Sequence, residues 1–424
     1  MLDRLLAAAV PSVASAAVAL VAIDGEPAAV SAVGELIRYA DATETLLGDR
    51  PPVAVDSVFD LASLTKLFTT VVAMSLVETG LLGLDEPVAT WLPSYYGDRP
   101  SITLRHLLTH TSGLPPGRRP DGIAPESRWD FVLSAPVTGP PGPYVYSDVG
   151  MITVGRICEI VSGTPLDALV ERVVTGPLGL TDTTYRPGAG LLPRIAATEF
   201  KPERTVVDGG PSGVIGQEAA EGGASCDRVR VGVDGREIAH VADDGGAARG
   251  RGLTGGGVDG GRSDEIAYEA DGGGAACDRE LTGSLLGVVV RGEVHDETAH
   301  ALGGVAGHAG LFATAGDLLR FAEILRTGGA GVLSAESVAE MTRDQGVAGA
   351  SFRQGLGFRI GDPAIVGPLA DAHGHSGFTG TSLVVDLERG LTVILLTNNV
   401  HPLRGRPGIR DLRNAVAAFA RSLV

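Results

Sequence analysis

A chain of 424 residues, 44% hydrophobic and 20% charged, is long enough to bury a sizeable core and to divide into two lobes. Its net charge of −17 and lack of any basic cluster exclude a surface built for phosphates, so nucleic acid is not an expected partner. Of its 34 basic residues only Lys66 and Lys201 are lysines, and a lysine, unlike an arginine, can release its proton.

The apolar residues 7–22 are interrupted by Pro11, preceded by Asp3 and followed by Asp24-Gly25. That pattern predicts a short helix, then a strand over 14–23 ending in a hairpin turn, rather than a signal peptide. No apolar run reaches the roughly 18 residues of a membrane span, and a cytoplasmic location is the expectation. Next comes Phe59-Asp60-Leu61-Ala62-Ser63-Leu64-Thr65-Lys66, then an apolar run to Val77 with Gly80 beyond it. This predicts a buried helix with Ser63 in its first turn. Ser63 and Lys66, three apart, share a helix face. A desolvated lysine can help take a hydroxyl proton, and the free N–H groups of a helix start favour an anion forming there. A capped core helix with an exposed lysine would carry the same four residues, so the motif alone does not decide.

Residues 81–88 read as a turn into a short helix through Trp91. Residues 103–115 read as a helix closed by Gly113 and Pro115. His106 and His110 lie four apart on it with no carboxylate between them in the zincin manner, which assigns them to packing and hydrogen bonding and predicts no metal site. Residues 115–143 are rich in Pro, Gly and Arg and predict a surface loop with a short helix over 128–133. Tyr146 stands before a helix over 151–161, capped by Ser147 or Asp148 and ended by Gly163. A packed aromatic and a catalytic phenol both fit it. Cys158 falls in an apolar helical pattern as a small buried hydrophobe. With no CxxC pair, neither a thiol redox site nor a cysteine zinc site is indicated, and no cofactor is expected.

Residues 201–280 hold 20 of the 61 glycines, and two pieces recur within them. Gly-Gly-Ala-Ser-Cys226-Asp-Arg matches Gly-Gly-Ala-Ala-Cys277-Asp-Arg, and the heptad from Glu237 matches the one from Glu265. So little apolar surface cannot offset the entropy of ordering, which marks 204–284 as a low-complexity insertion, flexible or held as a loose hairpin. Its two cysteines permit a disulfide, while free thiols suit a cytoplasmic chain. Pattern returns at Leu285. A glycine-rich loop over 303–311 leads to a cap at Thr314 with Asp317 and a helix to Leu325, followed by a helix over 334–343. Strands are predicted over 355–360, 372–377, 382–387 and 391–398, and an amphipathic helix over 409–423. The expected class is α+β. An antiparallel sheet lobe would be built from 1–66 and 285–424 and completed by the N-terminal hairpin, with 67–203 as a mostly helical lobe.

Three elements in this order, Ser63-Leu64-Thr65-Lys66, Tyr146-Ser147-Asp148 and His375-Ser376-Gly377, resemble the serine β-lactamase and penicillin-binding superfamily on its class C and esterase side. The surrounding text agrees in FDLASLTK, LRHLLTHTSGLP, PYVYSDVG, GPLGLTDT, GGVAGHAGLFATA and HSGFTGTS, and the likeness covers nearly everything except the insertion. It implies a β-lactamase/transpeptidase-like fold and an acyl-enzyme on Ser63. Lys66 and Tyr146 would form the proton relay, with Tyr146 as base. An unperturbed phenol titrates near ~10, so Lys66 must hold it partly ionised. The oxyanion would lie between the N–H groups of Ser63 and Phe378, and Gly377 would let substrate approach the strand. Two departures stand out. His375 replaces the lysine that attracts a substrate carboxylate in lactam-processing members, and Asp148 stands where Asn is common, adding a negative charge beside Lys66. Both suit small neutral esters or amides better than a lactam. A β-lactamase, a D,D-peptidase and an inactive binding or scaffold homologue remain the competing expectations.

Overall fold

The computed structural model describes residues 1–202 and 287–424. The predicted insertion, its repeats, and Cys226 and Cys277 lie outside the described residues. Twelve strands are present in that portion: β1 (Ala16–Ile23), β2 (Glu26–Gly34), β3 (Phe59–Asp60), β4 (Thr184–Tyr185), β5 (Phe200–Pro202), β6 (Gly287–Val289), β7 (Leu311–Ala313), β8 (Arg353–Gln354), β9 (Arg359–Ile360), β10 (His373–Ser376), β11 (Ser382–Asp386) and β12 (Leu391–Thr397). Seven of them form one sheet in the order β2-β1-β12-β11-β10-β9-β8, antiparallel throughout. The N-terminal hairpin thus completes a sheet made mostly by the C-terminal third, as expected.

β1 is apolar at nearly every position because both of its faces are covered. Ala16, Val18, Leu20 and Ala22 face the main core, and Ala17, Ala19 and Val21 face the other side. On that second side the helices Leu2–Ala9 and Ile409–Arg421 close a smaller core through Leu6, Val416 and Phe419. On the first side lies the helix Thr65–Glu78, whose Phe68 stacks on Phe321 of the helix Ala315–Arg326 at 4.0 Å between rings. Helices at 128–133, 148–162 and 335–342 stand where the sequence places them, with Ser147 capping the second through the Gly150 N–H and Gly163 closing it at φ +65°. Cys158 lies fully inside this helix, and burial pushes its thiol up to about 12.

Two elements differ from the sequence pattern. The helix expected over 103–115 stops at Leu108, since His110 turns to φ +58° and its carbonyl and Nδ1 are taken by the Val145 and Ser147 N–H groups. Tertiary hydrogen bonds there outweigh helical ones. Of the strand expected over 355–360 only β9 at 359–360 forms; 355–358 is a tight turn joining β8 and β9, because Gly355 donates to Phe358 and Gly357 adopts φ +73° against Thr70. A small sheet, β3-β7-β4, is an addition that no periodicity announces.

Candidate active site

β3 delivers the chain into a 3-10 turn, Ala62–Leu64, that runs straight into the Thr65–Glu78 helix. Ala62 sits at φ +46°, a conformation costly for any side chain, immediately before Ser63. The turn is held by Asp60, whose Oδ1 accepts the Ala62 N–H at 2.8 Å and whose Oδ2 accepts the His295 N–H at 2.7 Å. Burial raises the Asp60 carboxyl above its ordinary range. The turn after β10 is stitched to the same segment. Thr379 donates to the Asp60 carbonyl at 2.8 Å and Thr381 to the Leu61 carbonyl at 3.1 Å.

Three predicted residues meet at one oxygen. Lys66 Nζ and Tyr146 OH both donate to Ser63 Oγ, each at 2.9 Å. Lys66 is fully buried. Its remaining partners are Asp148 Oδ1 at 2.7 Å and the His308 carbonyl at 3.2 Å. Burial alone would drive a lysine toward neutrality, but Asp148 and Tyr146 outweigh it and raise the Lys66 pKa well above the ordinary lysine value. This corrects one expectation: Lys66 is a fixed ammonium here rather than a group that gives up its proton. A second correction concerns Tyr146, whose phenol burial pushes above its ordinary value, against the pull of Lys66 and with Asp148 pushing it further up. The resting phenol is therefore protonated.

His375 lies behind the phenol, 6.1 Å from it ring to ring, buried, with Nδ1 donating to the Ser376 carbonyl. Burial, then Arg359 and Lys66, hold it far below the ordinary histidine value, so this position carries no charge at neutral pH. His110 is likewise kept neutral, mainly by burial, 4.6 Å from the same phenol ring. His106 bonds Thr103 in a capping box, so the two histidines serve packing and hydrogen bonding as expected. The structure adds a reason for Gly377 to be glycine, the packing of the site itself. A Cβ there would lie 2.4 Å from the Leu61 carbonyl and 2.1 Å from Thr381 Oγ1, so the missing side chain admits the nucleophile's own turn. Phe378 is 53% exposed, stacked on His295 and lying beside the Arg404 guanidinium.

Sequence patterns did not point to Asp296, His308 or Arg359. His308 Nε2 pairs with Asp296 Oδ1 at 2.9 Å, and the Arg359 guanidinium lies 5.2 Å from the Tyr146 ring centre. Asp148, Asp296 and His308 bring one possible donor atom each within 4.8 Å of one another. The buried Lys66 ammonium already holds Asp148 in that cluster, which makes it a charge network hostile to a further cation.

A sequence profile of the family described as Beta-lactamase matches residues 2–418. The chain belongs to the Beta-lactamase family. Within it, this member is similar to Esterase EstB of Burkholderia gladioli, 28% identical over 400 residues that span 87% of this chain and 84% of that one. It also resembles a protein of Escherichia coli K12 that bears a provisional D-alanyl-D-alanine carboxypeptidase name, at 27% identity over 81% of this chain and 70% of the other. Among solved structures, EstCE1, described as a hydrolase with promiscuous acyltransferase activity, aligns over 97% of both chains with a TM-score of 0.61 at 22% identity. That likeness shows the fold, β-lactamase/transpeptidase-like and α+β. Membership and relatives together identify a serine hydrolase. No described helix is long and apolar enough to cross a membrane.

Proposed function

We propose that this family member is an esterase-like hydrolase of small, neutral carboxylic esters or amides, working through an acyl-enzyme on Ser63. The observation that carries this is the placement of one oxygen, Ser63 Oγ, at 2.9 Å from both a buried ammonium and a phenol. Attack needs Tyr146 as phenolate, a minor form that the fixed charge of Lys66 favours. The phenolate takes the Ser63 proton as Oγ bonds the substrate carbonyl carbon. The carbonyl oxygen becomes an oxyanion, placed between the N–H groups of Ser63 and Phe378. Tyr146 then protonates the leaving alkoxide or amine as the scissile bond breaks. Water, deprotonated by the same phenolate, releases the acid. Asp148 holds Lys66 charged through the cycle, and neutral His375 offers no cation to a substrate carboxylate, which supports uncharged substrates.

Ser63→Ala is expected to abolish hydrolysis of p-nitrophenyl acetate, and a fluorophosphonate probe to label Ser63 in the intact chain. Undiminished turnover in Ser63→Ala, or a Ser63 that no probe acylates, would overturn the proposal in favour of a binding or scaffold role. The Escherichia coli relative favours a second reading, D,D-peptidase action on cell-wall peptides. Release of D-alanine from muropeptides, with recovery of the protein outside the cytoplasm, would select it over the esterase proposed here.

A further inference from the structure

One charged side chain at the site has no part in the steps above. Arg359, on β9, places its guanidinium 5.2 Å from the centre of the Tyr146 ring and 5.0 Å from that of Phe352. Its Nη1 donates to Asp362 Oδ2 at 3.0 Å, its Nε has no hydrogen-bond partner, and the side chain is only 16% exposed. In register Arg359 stands opposite Gly374, the residue before His375. The strand that opens the third motif therefore brings a neutral ring to the phenol, and its neighbour brings a cation.

We propose that Arg359 is a positioning residue for Tyr146, its guanidinium lying against the ring and supplying, beside Lys66, a second positive charge under which the phenolate forms. This rests on the role given to Tyr146 above. The titratable groups around the phenol are Lys66 from the nucleophile helix, Asp148 from the helix that follows Tyr146, the uncharged rings of His110 and His375, Arg359, and the Tyr144 phenol, which burial pushes up and which also faces Arg359. Asp148 lies 2.7 Å from Lys66 and offsets much of that charge as felt at the phenol, while burial opposes ionisation outright. A guanidinium cannot lose its proton, so its charge persists at every working pH. Asp362 bonds one end of it and leaves the Nε edge without a counter-charge. Against an aromatic face a cation gains from the ring's quadrupole, and it gains more once that ring's oxygen is an anion.

The test uses the full chain as Arg359→Gln, Arg359→Lys and Asp362→Asn, beside the parent, each with its own Tyr146→Phe blank. Near-ultraviolet phenolate absorbance, each variant differenced against the same variant carrying Tyr146→Phe, follows Tyr146 apart from Tyr144, which also faces Arg359. The pH profile of kcat/KM for p-nitrophenyl acetate follows it through turnover. Arg359→Gln is expected to move the Tyr146 titration and the matching limb upward by about one pH unit, about tenfold less phenolate at a given pH, with Arg359→Lys restoring most of it. Asp362→Asn removes the counter-charge and keeps the guanidinium, so the titration stays or moves down. An unmoved phenol in Arg359→Gln would overturn the proposal, as would an upward shift in Asp362→Asn, the sign of an arginine that only packs. Should Arg359→Gln fail to fold, the Asp362→Asn sign still decides. The absorbance titration reports on Arg359 even if Ser63→Ala shows that hydrolysis does not run through Ser63.

Discussion

Lys66 owes its charge chiefly to one carboxylate. It is wholly buried, and burial disfavours an ammonium, yet Asp148 at 2.7 Å reverses the balance. Asp148→Asn removes the largest favourable contribution, so the Lys66 pKa should fall and the amine should lose its proton within the working range. Activity of that variant should decline at a lower pH on the alkaline side than in the parent, by a unit or more, read from the pH profile of kcat/KM. An unchanged alkaline limb would contradict the account of Lys66 as a fixed ammonium. Ser63, Lys66 and Tyr146 were legible in the sequence because their motifs, in order with His375-Ser376-Gly377, resemble a known superfamily, while the spacing of Ser63 and Lys66 or the place of Tyr146 before a helix did not decide alone. Asp296, His308 and Arg359 were not, since they reach the site by long-range chain return. The Lys66 to His308 bond spans 242 positions. The electrostatic states of Lys66 and Tyr146 were equally hidden, being set by burial and by partners that only the fold brings close.

At the scale of elements, the site is a seam between the 3-10 turn before the nucleophile helix and the turn leaving β10. Thr379 and Thr381 tie the two backbones, and Gly377 lets them touch. Gly377→Ala would put a methyl 2.4 Å from the Leu61 carbonyl, and the seam must open. We expect kcat for p-nitrophenyl acetate to fall by about tenfold or more, with a stability loss of about 1–3 kcal/mol by thermal unfolding. A variant with parental kcat would show that the contact does not position the site. Long strands and helices were readable because their patterns persist over several residues, as the apolar runs of β1 and β12 and the helical period of residues 148–162 do. The 104–108 helix and the β8–β9 turn were misjudged because short segments yield to tertiary hydrogen bonds and to glycines at positive φ. Two-residue strands such as β3 and β4 contain no period at all.

Across the whole molecule, a buried ion cluster fastens regions far apart in the chain. Glu199 accepts from His295 Nε2 at 3.0 Å and from Arg404 through both of its oxygens, and Arg404 also reaches Glu297 at 2.6 Å. Burial would raise the Glu199 carboxyl, but those donors win and hold it down to about 2. Its contribution to stability is then complete above the unfolded value near 4.5 and is lost as pH falls toward 2. Glu199→Gln should be less stable than the parent at neutral pH by on the order of 2 kcal/mol, and that gap should close between about pH 4.5 and 2 in urea titrations. A gap that stays constant would assign the cluster to packing rather than charge. The sheet as a whole was legible, since an apolar strand with its hairpin turn at one end and a run of strands joined by tight turns at the other leave few ways to pair.

Phe200–Pro202 and Gly287–Val289 pair as β5 and β6, with Pro202 opposite Gly287. The chain thus leaves and re-enters this framework at a single rung of one ladder. Closing such a gap costs entropy only as the logarithm of what lies within it, so the framework tolerates cargo of very different size at this port. A guest domain whose own ends lie side by side could be spliced there, turning the hydrolase into a carrier.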